Sequence, residues 1–370
     1  MVAFVIDPAD DRDEIVSDRQ QGMADVGEDL VEQPGSPRSF RLEPIERGRA
    51  IWATVLAGCW FVVIGGVWLA VSLLFGITQP VVTVVGQATT PLVLLAVWPV
   101  AAVAAWRRRW VLTGIATGLV VVHIAVVLPA IWPHGTPSWA AQAPKVRVLS
   151  ANVKIDNPTE DRAASALLAV DADVLVVVEL TPHFITELRS HGAYQQYPNR
   201  VERPQPWDGR GIGIYSKLPM TAIDAIDLDS RQAPGARLTL ADGTTVNVYG
   251  VHTVAPYEPL REGRWRDNLT ALAARIAELP KPFVLAGDFN ATRWHPPFTT
   301  LLDAGVRDAH EQTGNGLSFS WPADRGLLPP LFRLDHALLS DGVTSTALHE
   351  VTIPGSDHVG FVVDLAVRAH

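Results

Sequence analysis

The sequence predicts a membrane-anchored α/β protein, in which three transmembrane helices precede an α/β sandwich. Two observations support this fold class. The charged side chains of the 370 residues lie mostly at the two ends of the chain, because residues 51–144 contain no Asp, Glu or Lys and only three arginines. From residue 145 onward, short apolar runs alternate with helical segments, a pattern typical of α/β domains.

The first 50 residues form an acidic tail, with 12 acidic and 6 basic side chains. Pro34, Gly35 and Pro37 lie near its end, and a charged segment of this kind cannot bury enough apolar surface to fold by itself. We therefore predict that residues 1–50 are a disordered cytoplasmic tail. A cleaved signal peptide is disfavoured, because its apolar segment would lie much closer to the N-terminus.

Residues 51–132 divide into three apolar stretches, at about 51–75, 82–106 and 111–132, which are separated by "GITQP" and "RRRW". Each stretch is close to the roughly 20 residues that a helix needs to cross a hydrocarbon core of about 30 Å. The alternative is a soluble helical bundle, but soluble helices normally present a polar face to water. The sequence thus predicts three transmembrane helices.

The positions of the arginines predict the topology of these helices. Arg41, Arg47 and Arg49 precede the first span, and a second cluster, Arg107–Arg109, lies between the second and third. Short loops rich in Arg and Lys tend to stay in the cytoplasm. An odd number of spans then places the C-terminal region on the outer side of the plasma membrane, after a short linker over residues 133–144.

The C-terminal domain, residues 145–370, contains apolar runs that stop at polar residues. An Asp or Asn after a strand is, by itself, most often a turn former or a helix cap. Polar residues at the ends of several strands of one domain suggest a functional site, because side chains can leave the core there. The candidate site residues are Asn152, Glu179, His252, Asp288, Asn290, Asp335, Asp357 and His358.

The ordered motifs of this domain resemble those of the endonuclease/exonuclease/phosphatase superfamily. They are "LSANV", "VVVEL", "GIGIYSK", "YGVHT", "LAGDFNAT", "RLDHALLS" and "GSDHVGFVVDL", and they extend from about residue 146 to the C-terminus. This superfamily includes DNase I-like nucleases, inositol polyphosphate phosphatases and neutral sphingomyelinases. The resemblance implies a four-layer sandwich, with two mainly antiparallel sheets flanked by helices.

The resemblance also implies a metal site. Glu179 matches the principal metal ligand of the superfamily, Asn152 lies beside it, and Asp357 is expected to contribute. A site built from hard oxygen ligands suits Mg²⁺ or Mn²⁺.

Five further residues match catalytic positions. Asp288 is expected to position or deprotonate the attacking water, and Asn290 to hold a phosphoryl oxygen. His358 is expected to face the scissile phosphate, with Asp335 orienting its imidazole, and His252 matches a second histidine on the phosphate side.

These residue types fit the hydrolysis of a phosphoester. The reaction needs a nucleophilic water, positive charge near the phosphoryl oxygens and stabilisation of the leaving oxygen. Since no Cys or Ser motif suggests a covalent intermediate, we predict a metal-dependent phosphatase or phosphodiesterase that uses direct attack by water. The alternative from another class is a non-enzymatic binding protein built on an inactive scaffold.

The sequence favours a lipid-linked substrate over nucleic acid. Residues 145–370 carry 27 acidic and 21 basic side chains, a net charge of −6, whereas nucleases usually present a basic surface. A linker of about ten residues also keeps the domain near the bilayer.

The whole layout resembles bacterial membrane-anchored members of the superfamily that are linked to teicoplanin resistance. This resemblance implies an undecaprenyl phosphate or pyrophosphate of the cell envelope as the substrate. An extracytoplasmic nuclease and a sphingomyelinase or phospholipase C-like phosphodiesterase remain alternatives.

Overall fold

The computed structural model describes residues 44–369. The predicted acidic tail lies almost wholly in residues 1–43, outside the described residues. From Ala53 onward the chain forms one compact unit.

The described chain begins with five apolar helices: α1 (Pro44–Phe75), α2 (Val81–Ala88), α3 (Thr90–Leu95), α4 (Val97–Trp106) and α5 (Trp110–Ile131). Within residues 44–369, α1 and α5 are long and apolar enough to cross a membrane by themselves. A third crossing is present if α2 and the helical segment Thr90–Trp106 are counted as one bent span. Many of the large apolar side chains of these helices point outward, including Phe61, Ile64 and Trp68, as expected for surfaces that face lipid.

The stretch 82–106, predicted as one transmembrane helix, is divided into α2 and the helical segment Thr90–Trp106. The chain bends by 70° between α2 and the helical segment that follows it. Pro91 has no backbone N–H and cannot continue the helical hydrogen bonding to Gln87, whose carbonyl instead accepts from Thr90 Oγ1 at 2.8 Å. Because of this break, α2 lies against the C-terminal domain. Val84 of α2 packs within an apolar cluster of that domain.

The C-terminal domain contains two six-stranded sheets. A short 3₁₀ turn at Ser138–Ala141 precedes them. The first sheet has the order β11-β12-β1-β2-β4-β3 and the second β5-β6-β7-β8-β10-β9, with these strands: β1 (Lys145–Asn152), β2 (Val174–Val178), β3 (Asn199–Arg203), β4 (Ile212–Ser216), β5 (Met220–Asp227), β6 (Gln232–Thr239), β7 (Thr245–His252), β8 (Phe283–Asp288), β9 (Arg307–Asp308), β10 (Asp335–Leu339), β11 (Val343–Thr352) and β12 (Val359–Val367). The neighbours β1 and β2 are parallel, as are β7 and β8, and the other pairs are antiparallel.

Helices cover the outer faces of both sheets. They are α6 (Glu160–Ala169), α7 (Pro182–Ser190), α8 (Ala193–Gln196), α9 (Pro259–Ile276), α10 (Pro296–Asp303) and α11 (Ala309–Gln312). Valines such as Val148 and Val284 fill the space between the sheets. Phe184 packs with the outer face of the first sheet and Trp265 with that of the second. The predicted sandwich of two mainly antiparallel sheets with flanking helices is confirmed.

The last of the five apolar helices, α5, contacts the C-terminal domain directly. Gly316 N donates to Ala130 O at 3.0 Å, and His134 N donates to Gln312 O at 3.2 Å. The predicted linker therefore leads into a packed junction, where the end of α5 is hydrogen-bonded to the segment around α11.

Candidate active site

The candidate residues gather at one edge of the sandwich because of strand direction. The parallel strands β1 and β2 end at this edge, and so do β7 and β8, while their antiparallel neighbours begin there. In the second sheet Asp288 pairs in register with His252 of β7 and with Asp335 of β10. The topology thus brings together residues that are far apart in the sequence.

Asp288 is positioned by the glycine that precedes it. Gly287 has a φ of 145°, and a Cβ at this position would lie 2.0 Å from the carbonyl oxygen of Val251. Only glycine permits the two strands to approach this closely. The side chain of Asp288 is then buried at the end of β8, where its Oδ1 accepts from Asn290 N at 2.8 Å.

Asn152 connects the carboxylates of the two sheets. Its Nδ2 lies 3.1 Å from Glu179 Oε1 and 3.1 Å from Asp288 Oδ2, and it can donate to both. Glu179 Oε2 accepts from Ile155 N at 2.7 Å. Glu179 also has a φ of 63°, a conformation that is unfavourable for a non-glycine residue and that is found most often at functional sites.

His358 and Asp335 form a buried pair. His358 Nδ1 lies 2.8 Å from Asp335 Oδ2, so the ring donates to the carboxylate, and Nε2 lies 3.7 Å from Asp288 Oδ2. Burial by itself lowers the pKa of His358, but the carboxylates of Asp335 and Asp288 outweigh burial and raise this pKa above the ordinary value. His358 is therefore a cation whose Nε2–H faces the cleft.

His252 differs from His358 in its protonation. Its Nδ1 donates to Gly209 O at 2.7 Å, while burial and the nearby charge of Arg231 lower its pKa to about 3. His252 is thus neutral, and its unprotonated Nε2 lies 3.7 Å from Asp288 Oδ2 and 4.0 Å from Glu179 Oε1. These contacts are too long for hydrogen bonds and are not ion pairs while the ring is neutral.

The remaining predicted residues border the same cleft. Asn290 has a φ of 48° and donates from Nδ2 to Thr253 O at 3.0 Å, which holds its carboxamide. Asp357 Oδ2 accepts from Trp321 Nε1 at 3.0 Å.

One cavity of about 550 Å³ joins most of these groups. Glu179, His252, Asp288, Asn290, Asp357 and His358 line it. Asn152 and Asp335 lie behind this lining and are hydrogen-bonded to it. The structure brings every predicted site residue to this one place.

Sequence reasoning missed two features of the cavity. The first is an apolar wall formed by α2, with Val84, Val85 and Ala88. The second is Arg231, which precedes β6. No local pattern distinguishes an arginine at the start of a strand from a surface residue. The interruption of the apolar stretch by "QATTP" is the only sequence signal for a break after α2.

The residues present fit a divalent cation. Burial raises the pKa of both Glu179 and Asp288, and within residues 44–369 no Lys or Arg forms an ion pair with either carboxylate. Carboxylates that are buried without a cation favour binding one, and oxygen ligands suit hard divalent ions.

A second set of atoms has a spacing that suits a metal. Ligand atoms of Asp288, Asp335 and His358 all lie within 4.8 Å of one another. The Asp335–His358 hydrogen bond already occupies two of these groups, however. Glu179 with Asn152 is therefore the better candidate for the centre of the metal site.

This arrangement defines the class of protein. The site contains paired carboxylates, a cationic imidazole, a neutral imidazole and two carboxamides. They all lie at the open edge of a two-sheet sandwich. This combination is that of a metal-dependent phosphoester hydrolase.

Comparison with known proteins identifies the family. Residues 149–358, more than half of the chain, match the model of the Endonuclease/Exonuclease/phosphatase family. The chain therefore belongs to this family, whose enzymes are metal-dependent phosphoester hydrolases. No curated protein matches the chain.

Solved structures share the fold at low sequence identity. Humanized D. rerio TDP2 carrying 14 mutations is 20% identical, with a TM-score of 0.50 over 60% of this chain and 99% of that chain. An endonuclease/exonuclease/phosphatase from Beutenbergia cavernae DSM 12333 is 19% identical, with a TM-score of 0.44 over 61% and 72%. The mannosyl-6-phosphatase of Bacteroides thetaiotaomicron VPI-5482 is 16% identical, with a TM-score of 0.45 over 60% and 99%.

Proposed function

We propose that this protein is a membrane-anchored hydrolase of lipid-linked phosphates on the outer side of the plasma membrane. The favoured substrate is a polyprenyl carrier of cell-envelope synthesis, such as undecaprenyl phosphate or pyrophosphate. The observation that carries the proposal is the apolar wall of the catalytic cavity, which comes from the N-terminal membrane region.

The apolar wall is held in place by specific contacts. His295 Nδ1 accepts from Thr292 N at 2.8 Å, so Nε2 carries the proton and donates to Val84 O at 2.9 Å. Gln79, just before α2, donates to the buried carboxylate of Glu262 on α9. An apolar chain that extends from a phosphate in the site would therefore find apolar side chains beside the cleft.

The fold also supports the proposed topology. Residues 77–88 and the end of α5 both contact the C-terminal domain, whereas Arg107–Arg109 follow the opposite end of α4. Thr90–Trp106 is roughly 26 Å long at 1.5 Å per residue, close to the thickness of the hydrocarbon core. Three crossings with the arginine cluster in the cytoplasm would place the catalytic domain outside.

Different residues of the site have different proposed roles in the reaction. Asp288 is a carboxylate with a raised pKa and suits the role of base for the attacking water. The Nε2–H of His358 and the carboxamide of Asn290 offer hydrogen bonds to phosphoryl oxygens. A divalent cation held by Glu179, with Asn152 and Asp357 nearby, would neutralise charge on the phosphoryl group and the leaving oxygen.

A substrate panel tests the proposal. Full-length protein in detergent with Mg²⁺ or Mn²⁺ should release phosphate from undecaprenyl pyrophosphate faster than it cleaves plasmid DNA or sphingomyelin. No release from the lipid, together with rapid cleavage of plasmid DNA, would contradict it and favour an extracytoplasmic nuclease.

Val85→Asp tests the contribution of the apolar wall. Val85 is exposed to the cavity, so a carboxylate there should not disturb the fold. We expect kcat/KM to fall about tenfold more for a long-chain isoprenyl diphosphate than for methyl diphosphate, since burying a valine-sized apolar group contributes about 1.5 kcal/mol. Val82→Asp is the matched control, because Val82 is exposed on the same helix and does not line the cavity. Equal losses on both substrates would contradict a lipid-binding wall.

A further inference from the structure

Arg231 is a cation in the catalytic cavity to which the proposed mechanism assigns no role. Its side chain lines the catalytic cavity and also a neighbouring one of about 500 Å³. The Nη1 atom is buried without a hydrogen-bond partner, and among residues 44–369 no ion pair or hydrogen bond joins this guanidinium to another group. A buried donor without a partner is destabilising, which indicates that the partner is a ligand.

The two arginines that act electrostatically on Arg231, Arg210 and Arg261, are already engaged. Arg210 Nε lies 2.5 Å from Asp208 Oδ2, and the guanidinium of Arg261 lies 4.4 Å from the centroid of the Tyr257 ring. Burial and the charge of Arg210 lower the pKa of Arg231. An anion beside Arg231 would relieve the repulsion between these guanidinium groups.

Arg231 is also close to the reacting groups. It acts electrostatically on His252, and Glu179 acts on it. The carbonyl of Gly209, which accepts from His252, and the carboxyl of Asp208 lie on the loop beside it. The cation therefore lies next to the site of hydrolysis, on the side of His252 and Glu179.

We propose that Arg231 binds a second phosphoryl group, next to the one that is cleaved, and so makes the enzyme selective for lipid diphosphates over lipid monophosphates. This inference rests on the proposed function. A planar guanidinium with several N–H donors suits a phosphate oxygen pair.

The reaction that follows is hydrolysis of the phosphoanhydride bond to the terminal phosphoryl group. Water adds its oxygen to the terminal phosphorus, and the bond from that phosphorus to the bridging oxygen breaks. The bridging oxygen stays with the lipid monophosphate, whose new negative charge Arg231 would balance. The products are the lipid monophosphate, inorganic phosphate and one proton.

A panel of four substrates separates this inference from the proposed function. Full-length wild type, Arg231→Gln and Arg231→Lys are assayed in detergent with farnesyl diphosphate, farnesyl phosphate, methyl diphosphate and methyl phosphate. Arg264→Gln is the matched control, because Arg264 is exposed on α9 and lies outside both cavities.

We expect Arg231→Gln to lower kcat/KM for both diphosphates by about 10–100-fold, the value of one charged hydrogen bond, and to leave the monophosphates nearly unchanged. Arg231→Lys should retain part of the diphosphate activity, and Arg264→Gln should behave as wild type. No loss in Arg231→Gln would overturn the inference. A loss of equal size on all four substrates, in both Arg231 variants, would also overturn it.

The comparison of farnesyl with methyl substrates tests the proposed lipid substrate independently of Arg231. If farnesyl and methyl diphosphates react equally well, the lipid substrate is wrong, while the dependence of diphosphate cleavage on Arg231 still tests the second phosphate site. A wild-type enzyme that hydrolyses none of the four would overturn both proposals.

Discussion

At the scale of residues, the site is organised around one oxygen atom, Asp288 Oδ2. Asn152 Nδ2 lies 3.1 Å from it, and the Nε2 atoms of His252 and His358 each lie 3.7 Å away. The two histidines hold different charges because burial and the charge of Arg231 lower the pKa of His252, whereas the carboxylates of Asp335 and Asp288 outweigh burial and raise the pKa of His358. One site therefore contains an unprotonated ring nitrogen and a protonated one.

The cationic histidine gives the first prediction. His358→Ala removes the donor that faces the phosphoryl group, so kcat should fall by about 10²–10⁴-fold. The thermal unfolding midpoint should fall as well, because the carboxylate of Asp335 is left buried without its partner. His349→Ala, at an exposed position on β11, is the control and should retain full activity. Retention of wild-type kcat in His358→Ala would show that its role is assigned wrongly.

The proposed metal ligand gives the second prediction. Glu179→Gln keeps the size of the side chain but removes its charge, so Mn²⁺ affinity measured by calorimetry should fall at least about 100-fold, and activity should fall with it. Glu278→Gln, exposed at the end of α9, should bind Mn²⁺ as wild type does. Unchanged Mn²⁺ binding in Glu179→Gln would place the metal site elsewhere.

At the scale of elements, α2 is the helix of the apolar N-terminal region that lines the catalytic cavity. The bend after it turns what would be the start of a membrane helix into a support for the cleft. The contact depends on His295, which is buried and neutral because burial lowers its pKa to about 4.

The third prediction concerns the pH dependence of this contact. An unfolded histidine has a pKa near 6.5, so the unfolded chain binds the extra proton first as the pH falls. His295 therefore destabilises the fold progressively between about pH 6.5 and pH 4, by up to about 3 kcal/mol.

The unfolding midpoint of detergent-solubilised protein, measured from pH 7 to pH 4.5, tests this prediction. Wild type should lose more stability than His295→Gln over this range. The pKa of His252 is lowered as well, so His252 also destabilises the fold as the pH falls. Because both proteins contain His252, the difference between them gives the contribution of His295 alone. His349→Gln is the control and should follow wild type. Identical pH profiles of the unfolding midpoint for wild type and His295→Gln would show that His295 does not cause the loss of stability at low pH.

At the scale of the whole molecule, the membrane region and the hydrolase form one compact unit from Ala53 onward. Hydrogen bonds from His295 to α2 and from Gly316 to the end of α5 join them. The apolar N-terminal helices thus contribute side chains to the catalytic cavity.

The fourth prediction concerns the orientation of the molecule in the membrane. A reporter that is active only outside the cytoplasm should be active when fused after His370 and inactive when fused after Arg108. Both results follow from three crossings with the arginine cluster inside. If the reporter is active after Arg108 and inactive after His370, the topology is the reverse of the predicted one.

The sequence by itself was sufficient to predict the sandwich, the family and the eight candidate residues. Each polar residue follows or precedes an apolar run, as "VLAGDFN" illustrates for Asp288 and Asn290, and this local signal needs no tertiary information. Strand ends are visible in a sequence because buried strands must be apolar and residues beyond them need not be.

Only the tertiary structure decided how α2 and Arg231 are used. Apart from "QATTP", residues 82–106 are almost all apolar. The bend after α2 therefore depends on Pro91 and on packing against His295, a residue about 200 positions away in the sequence. Arg231 resembles any surface arginine until the fold places it near His252, with its Nη1 atom buried and without a hydrogen-bond partner. Both features arise from contacts between distant segments, and the order of residues along a chain does not specify which distant segments will meet.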